Sequence, residues 1–246
     1  MRRFLAHPFN QPMKNPAAWK ICPRPARVTL AGSYCQLEPL NPLRHGDPLF
    51  AASMAPGFEE RFRYLFDAPQ SRAVFDQWMA RMVASEDPLC FAVIDAASGR
   101  CEGRQSLMRI TPEHGVIEIG NILWGPAMAR TRVATEALFL FARYVFEDLG
   151  YRRFEWKCDA RNAPSRRAAL RFGFSFEGIF RQHMVIKGQN RDTAWFAIID
   201  EDWPVIRAAF EQWLKTENFD GRDRQKMPLG GLRDGVAGRS ALPEAN

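Results

Sequence analysis

The apolar positions of the chain change period several times, and the changes mark its elements. Between residues 117 and 176 the pattern reads strand, loop, helix, strand, loop, helix, strand. Val116 to Trp124 is an apolar-rich run that Gly125-Pro126 breaks. Ala134, Leu138, Phe141, Ala142, Val145, Phe146 and Leu149 then recur at helical spacing, and Gly150 stops that helix. Phe154 to Cys158 is a short second strand. Asn162 is placed to cap a second helix, with Pro164 in its first turn and Gly173 at its end. The unit is βαβαβ with a loop before each helix. Ligands of such units sit beyond the carboxyl ends of strands, at helix N-termini.

Upstream, Tyr34 to Leu40 reads as the first strand and Asn41-Pro42 as a turn. Pro48 to Ser53 and Glu59 to Leu65 read as short helices, interrupted at Ala55-Pro56-Gly57. Val74, Phe75, Trp78, Met79 and Met82 make one face of a helix over Ser71 to Ser85. Leu89 to Asp95 and Glu102 to Ile110 form a hairpin, and Thr111 to Gly115 turns into the Val116 strand. Three antiparallel strands feeding a βαβ core predict an α+β fold, antiparallel first and parallel where the core strands meet. Downstream, Phe176 to Ile186 and Thr193 to Ile199 pair around Lys187-Gly188-Gln189-Asn190, with Arg191-Asp192 an expected ion pair at the edge. Asp202 caps a helix over Trp203 to Leu214, whose buried stripe is Val205, Ile206, Phe210 and Trp213. The organisation expected is a Pro-rich arm over 1–28, one domain over 29–216 and a flexible, aperiodic tail over 217–246. Phe4, Phe9, Trp19 and Ile21 give the arm apolar residues with which to cover the core or another subunit.

Composition changes this picture little. The chain has 246 residues, 46% apolar and 25% charged, enough for one sizeable core. A net charge of +6 suits an anionic ligand or a nucleic-acid surface, but no ordered basic–aromatic motif supports the latter. Cys22, Cys35, Cys90, Cys101 and Cys158 have neither metal-ligand nor redox spacing, which points to packing thiols in a reducing cytoplasm. No apolar run has membrane-spanning length, and no apolar stretch after Met1-Arg2-Arg3 makes a signal peptide. A metal site, a Walker loop and a serine-hydrolase elbow are all absent from the pattern.

Three stretches carry a family resemblance: Pro126 to Ala137, Asn162-x-x-Ser165, and Arg171-Phe172-Gly173-Phe174. In this order and spacing they resemble the core of the GCN5-related N-acetyltransferases (GNAT), in the ribosomal-protein-alanine N-acetyltransferase-like (RimJ/RimL-type) branch. RRFEWKCDARNAPSRRAALRFGF and KGQNRDTAWFAI resemble one bacterial part of that branch closely. The resemblance spans Leu30 to Leu214. It implies α/β/α layers around a mixed sheet of about seven strands, splayed between the fourth and fifth. It also implies acetyl-CoA as co-substrate without a metal, and acetyl transfer to a primary amine by direct attack. The acceptor would be a protein N-terminus or a small amine. Nucleic acid and membrane are not expected as partners, and a homodimer stays open.

The resemblance also assigns a site. The backbone of Ile122, Leu123 and Trp124 would pair with the cofactor's pantetheine arm. The pyrophosphate would meet the loop and helix start over Arg130, Thr131, Arg132, Val133, Ala134 and Thr135. The family pattern there is Gln/Arg-x-x-Gly-x-Gly/Ala, whereas this chain reads Ala129-Arg130-Thr131-Arg132-Val133-Ala134. Arg132 stands at the pattern's glycine and Arg130 two positions before it, and only the final small residue, Ala134, matches. Either the arginine forks replace loop amides on the phosphates, or their bulk closes the site. Asn162 would hold the cofactor, and Ser165 would protonate the departing thiolate. The alternative is a plain N-cap and a solvated serine. Glu118, a carboxylate in an apolar strand, is the expected general base, with His183 as substitute and Gly120 leaving room for substrate. The early helices would border the acceptor cleft with Phe58, Phe62, Tyr64 and Phe66. Glu59, Glu60 and Asp67 would make that wall acidic and favour cationic acceptors. The competing function is a catalytically weak acyl-CoA-binding module of the same fold.

Overall fold

The computed structural model describes residues 20–68 and 71–240. The expected arm over 1–28 lies mostly outside them. The strands are β1 (Leu30–Ala31), β2 (Cys35–Pro39), β3 (Leu89–Asp95), β4 (Cys101–Thr111), β5 (Val116–Trp124), β6 (Arg153–Asp159), β7 (Ser175–Ile186) and β8 (Gln189–Ile199). The helices are α1 (Pro42–Met54), α2 (Phe58–Phe62), α3 (Arg72–Ala84), α4 (Arg132–Arg143), α5 (Ala163–Arg171), α6 (Trp203–Trp213) and α7 (Leu229–Ser240). One open sheet takes the order β1-β2-β3-β4-β5-β6-β8-β7. Its pairs are antiparallel except β5 with β6. The strand beyond the expected seven is the two-residue β1.

β3 shows why the sheet needs helices on both faces. Leu89, Phe91 and Val93 enter the larger core with α4 and α6, while Cys90, Ala92 and Ile94 pack with Leu49, Phe75, Trp78 and Met79 of α1 and α3. Successive side chains point to opposite faces, so a continuous apolar run means cover on both sides. The α4 stripe is buried as its spacing predicts, and the helix ends in a π-helical turn, Tyr144–Asp148. Glu136, on the same helix, is buried. Its carboxylate accepts from the N–H groups of Ser33 (2.8 Å), Tyr34 (2.6 Å) and Cys35 (2.8 Å). That clamp ties the β1–β2 turn to α4.

Three local readings change. Asn41-Pro42 does not end an element but starts α1: Asn41 Oδ1 caps the N–H groups of Leu43 and Arg44, with Pro42 in the first turn, where its missing N–H costs nothing. Arg191 and Asp192 are not ion-paired. Asp192 accepts instead from Gln182 N and Asn190 Nδ2, as neighbours on a strand face opposite ways. The segment read as an aperiodic tail carries a 3-10 turn, Thr216–Asn218, and then α7, whose Leu229 is buried in the larger core.

Candidate active site

The sheet opens at one place. β5 and β6 stay in register from Val116↔Arg153 to Ile119↔Trp156 and then part. On its other edge β5 remains paired to β4, with a bulge: Ser106 faces Gly120 and Arg104 faces Leu123, leaving Asn121 and Ile122 opposite Gln105. Asn121 takes the left-handed conformation (φ 51°) that an asparagine tolerates. The bulge bends β5 away, so Gly120–Trp124 have no strand on the β6 side. β6 stays paired with β8 along its whole length, from Arg153↔Ile199 to Asp159↔Thr193.

A cavity of about 990 Å³ fills the opening. Ile122 and Trp124 line it, whereas Leu123 points into the protein and is buried. At one end is the start of α4. Thr131 is the N-cap residue, but its hydroxyl donates to Met128 O and not to the helix. The N–H groups of Arg132, Val133 and Ala134 have no acceptor among the described residues. Such an end suits an anion. Thr135 and Ala134 line the cavity beside it, and Val133 packs against the core instead.

The two loop arginines part ways. Arg130 is exposed at the cavity rim with φ 67°, the left-handed region that favours glycine, at a strain on the order of 1 kcal/mol. Arg132 is engaged elsewhere. Its guanidinium lies over the rings of Tyr34 and Phe219, donates to Tyr34 Oη and pairs with Asp223. It fastens the 213–225 segment as a wall of the cavity, a role invisible while that segment reads as tail. A third arginine, Arg171, also lines this end. It stacks on Trp213 and donates to Thr135 Oγ1 at 3.2 Å, with no carboxylate in ion-pair reach among the described residues. Burial pushes its pKa down. Its only sequence signal was its place in Arg171-Phe172-Gly173-Phe174.

Asn162 does cap α5, accepting from Ser165 N at 3.1 Å, and it also lines the cavity. Ser165 is not merely solvated. Its Oγ accepts from Trp156 Nε1 at 3.0 Å, so the hydroxyl keeps its own proton to donate, either to Cys158 Sγ beside it or to a group in the cavity. The neighbouring Cys158 is kept a thiol by burial, against a weaker hydrogen bond from Ser165.

Glu118 faces the other half of the cavity and is 3% exposed. Its oxygens lie 2.7 Å from Arg109 Nη1 and 2.9 Å from Lys157 Nζ. Lys157 also meets Glu155 at 2.6 Å, and Arg153 meets Glu155 at 2.7 Å. Burial raises the Glu118 pKa, and the two cations offset this only in part. Glu155 is the reverse case: burial pushes it up, but the Lys157 and Arg153 hydrogen bonds prevail and hold it down. Gly120 shares the Glu118 face, yet the space above it is taken, since a Cβ there would run into Met108 Sδ. His183 does not line the cavity. It bonds Thr193 Oγ1 at 2.9 Å, and burial, then Arg191, lowers its pKa.

The wall beyond Glu118 comes from Tyr64 and Phe66, as expected, with Gly57, Glu60 and Arg61. Phe62 is core, and Phe58 lies off the lining. Lys187 Nζ donates to Phe62 O at 2.9 Å, so the β7–β8 hairpin closes against this wall. Of the three acids expected on this wall, Glu60 lines the cavity, while Glu59 and Asp67 lie off the lining. Asp67 pairs with Arg104 at 2.5 Å, and Glu60 meets Arg63 at 3.3 Å in an exposed pair that leaves its charge open to solvent. The described residues contain no cluster of three or more metal-ligating side chains, and no helix among them is long and apolar enough to cross a membrane.

Comparison with known proteins agrees with this geometry. The family model for a GNAT acetyltransferase domain matches residues 39–175. A GCN5-related N-acetyltransferase from Brucella melitensis is 56% identical, with 89% of this chain and 99% of that one covered and a TM-score of 0.88. A probable GNAT-family acetyltransferase from Chromobacterium violaceum is 38% identical over 80% of this chain and 98% of that one, at a TM-score of 0.73. A ribosomal L7/L12 alpha-N-protein acetyltransferase, RimL, in complex with coenzyme A shares the fold at 17% identity, covering 70% of this chain and 99% of that one, with a TM-score of 0.59. Comparison with curated proteins finds no match. A mixed sheet parted beside an uncapped helix start, together with these matches, means that the chain belongs to the GCN5-related N-acetyltransferase family, whose members are acetyltransferases.

Proposed function

We propose that the protein is an acetyl-CoA-dependent N-acetyltransferase of the RimJ/RimL type, acting on a primary amine in the cytoplasm. One observation carries the reading: the unpaired Gly120–Trp124 edge of β5 runs toward the unpaired N–H groups of α4 along a single cavity. An extended amide-bearing arm fits the first as an added strand, and a pyrophosphate fits the second. Arg130 and Arg171 supply the positive charge that Arg132, held by Asp223, does not. Acetyl-CoA brings an activated thioester. The five buried free cysteines suit a reducing compartment.

The chain's own residues position two reactants and move protons. The acceptor arrives as an ammonium and must lose a proton before it attacks. Glu118, whose pKa burial raises, is the group that takes it when in its carboxylate form, directly or through water. The C–N bond forms as the C–S bond breaks. The thiolate takes its proton from Ser165, whose oxygen is held by Trp156. The second amine proton replaces the one Ser165 gave, and one proton in total leaves to solvent.

The test is incubation of the full chain with acetyl-CoA and a panel of amines, reading thiol release together with the acceptor's mass. Release matched by a mono-acetylated amine is expected. Calorimetric binding of acetyl-CoA with no release across the panel would overturn the reading in favour of the acyl-CoA-binding module.

A further inference from the structure

The cavity is lined by a buried charge that the mechanism does not use. Arg191 of β8 is 7% exposed, yet it lines the cavity. Among the described residues no carboxylate lies within ion-pair distance of it, and its Nε has no hydrogen-bond partner. Phe66 covers it from the wall, with the guanidinium carbon 5.1 Å from the ring centre. A buried guanidinium is costly to desolvate and is normally paired. Charged groups face it from every side. Asp159 and Glu118 favour its charge, Arg109 opposes it, and both acids are taken, Asp159 by Arg161 at 2.8 Å and Glu118 by Arg109 and Lys157. Two of these neighbours, Glu118 and Arg109, are paired with each other at the group assigned to take the amine's proton. Asp67, one of the acids expected to draw a cation, is paired with Arg104 instead.

We propose that Arg191 is the specificity-determining residue for an acceptor that carries a carboxylate beside its amine. The inference rests on the acetyl-transfer reading for what happens to the amine, but not for the contact itself. The carboxylate is drawn to Arg191, which places the amine beside Glu118, the group assigned to take its proton, while Glu118 keeps its contacts with Arg109 and Lys157. The cavity thus selects acidic amines over the cationic ones that the sequence suggested. The carboxylate could belong to a free amino acid or to an acidic side chain of a peptide N-terminus.

Matched acceptors separate these sources: alanine against alaninamide, and an aspartyl against an asparaginyl N-terminal peptide. With acetyl-CoA present, kcat/KM should favour the carboxylate member of one pair by on the order of 10- to 100-fold, the yield of a well-made charge-assisted pair. Arg191→Gln should bring that ratio close to one, and Arg191→Lys should restore part of it. The same contact is read without turnover by titrating CoA-bound protein with acetylalanine and its carboxamide, and with the acetylated aspartyl and asparaginyl peptides. Tighter binding of one acid member supports the proposal even if no amine is acetylated, in which case the catalytic reading alone falls. Equal behaviour of acid and amide in both pairs, in both measurements on the wild-type protein, overturns it.

Discussion

Replacing Glu118 by glutamine removes one ionisable group from the centre of the cavity and little else. Lys157 keeps Glu155 at 2.6 Å, and Arg109 is partly exposed, so neither cation is stranded in an apolar interior. The glutamine is isosteric and can still accept from one of them. The loss should therefore be chemical. A positioned general base contributes about 10²–10⁴-fold, which corresponds to roughly 3–5 kcal/mol of barrier. The pH profile of kcat/KM gives the sign. The base works when ionised, and burial has raised its pKa, so wild-type activity should rise with pH through a limb above the ordinary carboxylate range. The deficit of the variant should be widest between that pKa and the pKa of the amine. Below the first, the wild type also loses its base; above the second, no base is needed. Acetyl-CoA affinity should stay close to wild type, because the contacts assigned to it lie along β5 and α4. Superimposable profiles for every active acceptor would refute the assignment and leave a water chain as the proton's route, His183 being off the cavity wall.

Ser165→Ala should lower kcat by on the order of 10²-fold while acetyl-CoA affinity holds, since water replaces a proton donor only in part; an equal loss of binding and turnover would make Ser165 a cofactor contact. Arg171→Gln should weaken CoA binding by about 1.5–3 kcal/mol for each phosphate bond lost, and unchanged affinity by calorimetry would mean that the side chain only packs on Trp213. Glu136→Gln should destabilise the fold by roughly 2–4 kcal/mol in urea, because one of the three N–H groups it accepts would face an amide NH₂; a loss below about 0.5 kcal/mol would refute the clamp. The stability difference between wild type and Glu118→Gln should itself depend on pH. A raised carboxyl pKa means stability that is full below the unfolded value and is lost as pH rises through the folded one, so the wild type should lose ground to the variant across that window.

Local pattern was enough for most of the scaffold. The spacing from Ala134 to Leu149 could only be a helix face, and the Val116 and Leu89 runs became strands with the bounds read from them. Asn162 and Ser71 cap the helices they precede, because an N-cap is made by residues two or three apart. The same locality misled at Asn41-Pro42, where cap and turn look alike in sequence, and after Thr216, where a Gly-rich helix is held by contact with the core and not by its own periodicity.

The family, and with it the place of the cavity, was legible because Asn162-x-x-Ser165 and Arg171-Phe172-Gly173-Phe174 are contiguous. Side-chain partners were not legible, because they are set across strands. Glu118 meets Lys157 only because β5 and β6 run parallel in register, and Trp156 meets Ser165 only because α5 folds back over β6. Arg132 and Arg130 look equivalent in sequence, yet Asp223, 91 residues on, takes one and leaves the other at the rim. Arg191 stands next to Asp192 in the chain and faces away from it in the strand. Sequence alone determined which residues could be charged, capped or apolar. Which charges neutralise one another, and which are left facing the cavity, was decided by the tertiary structure, since Coulomb energy depends on distance in space and on burial, and neither is a property of the chain.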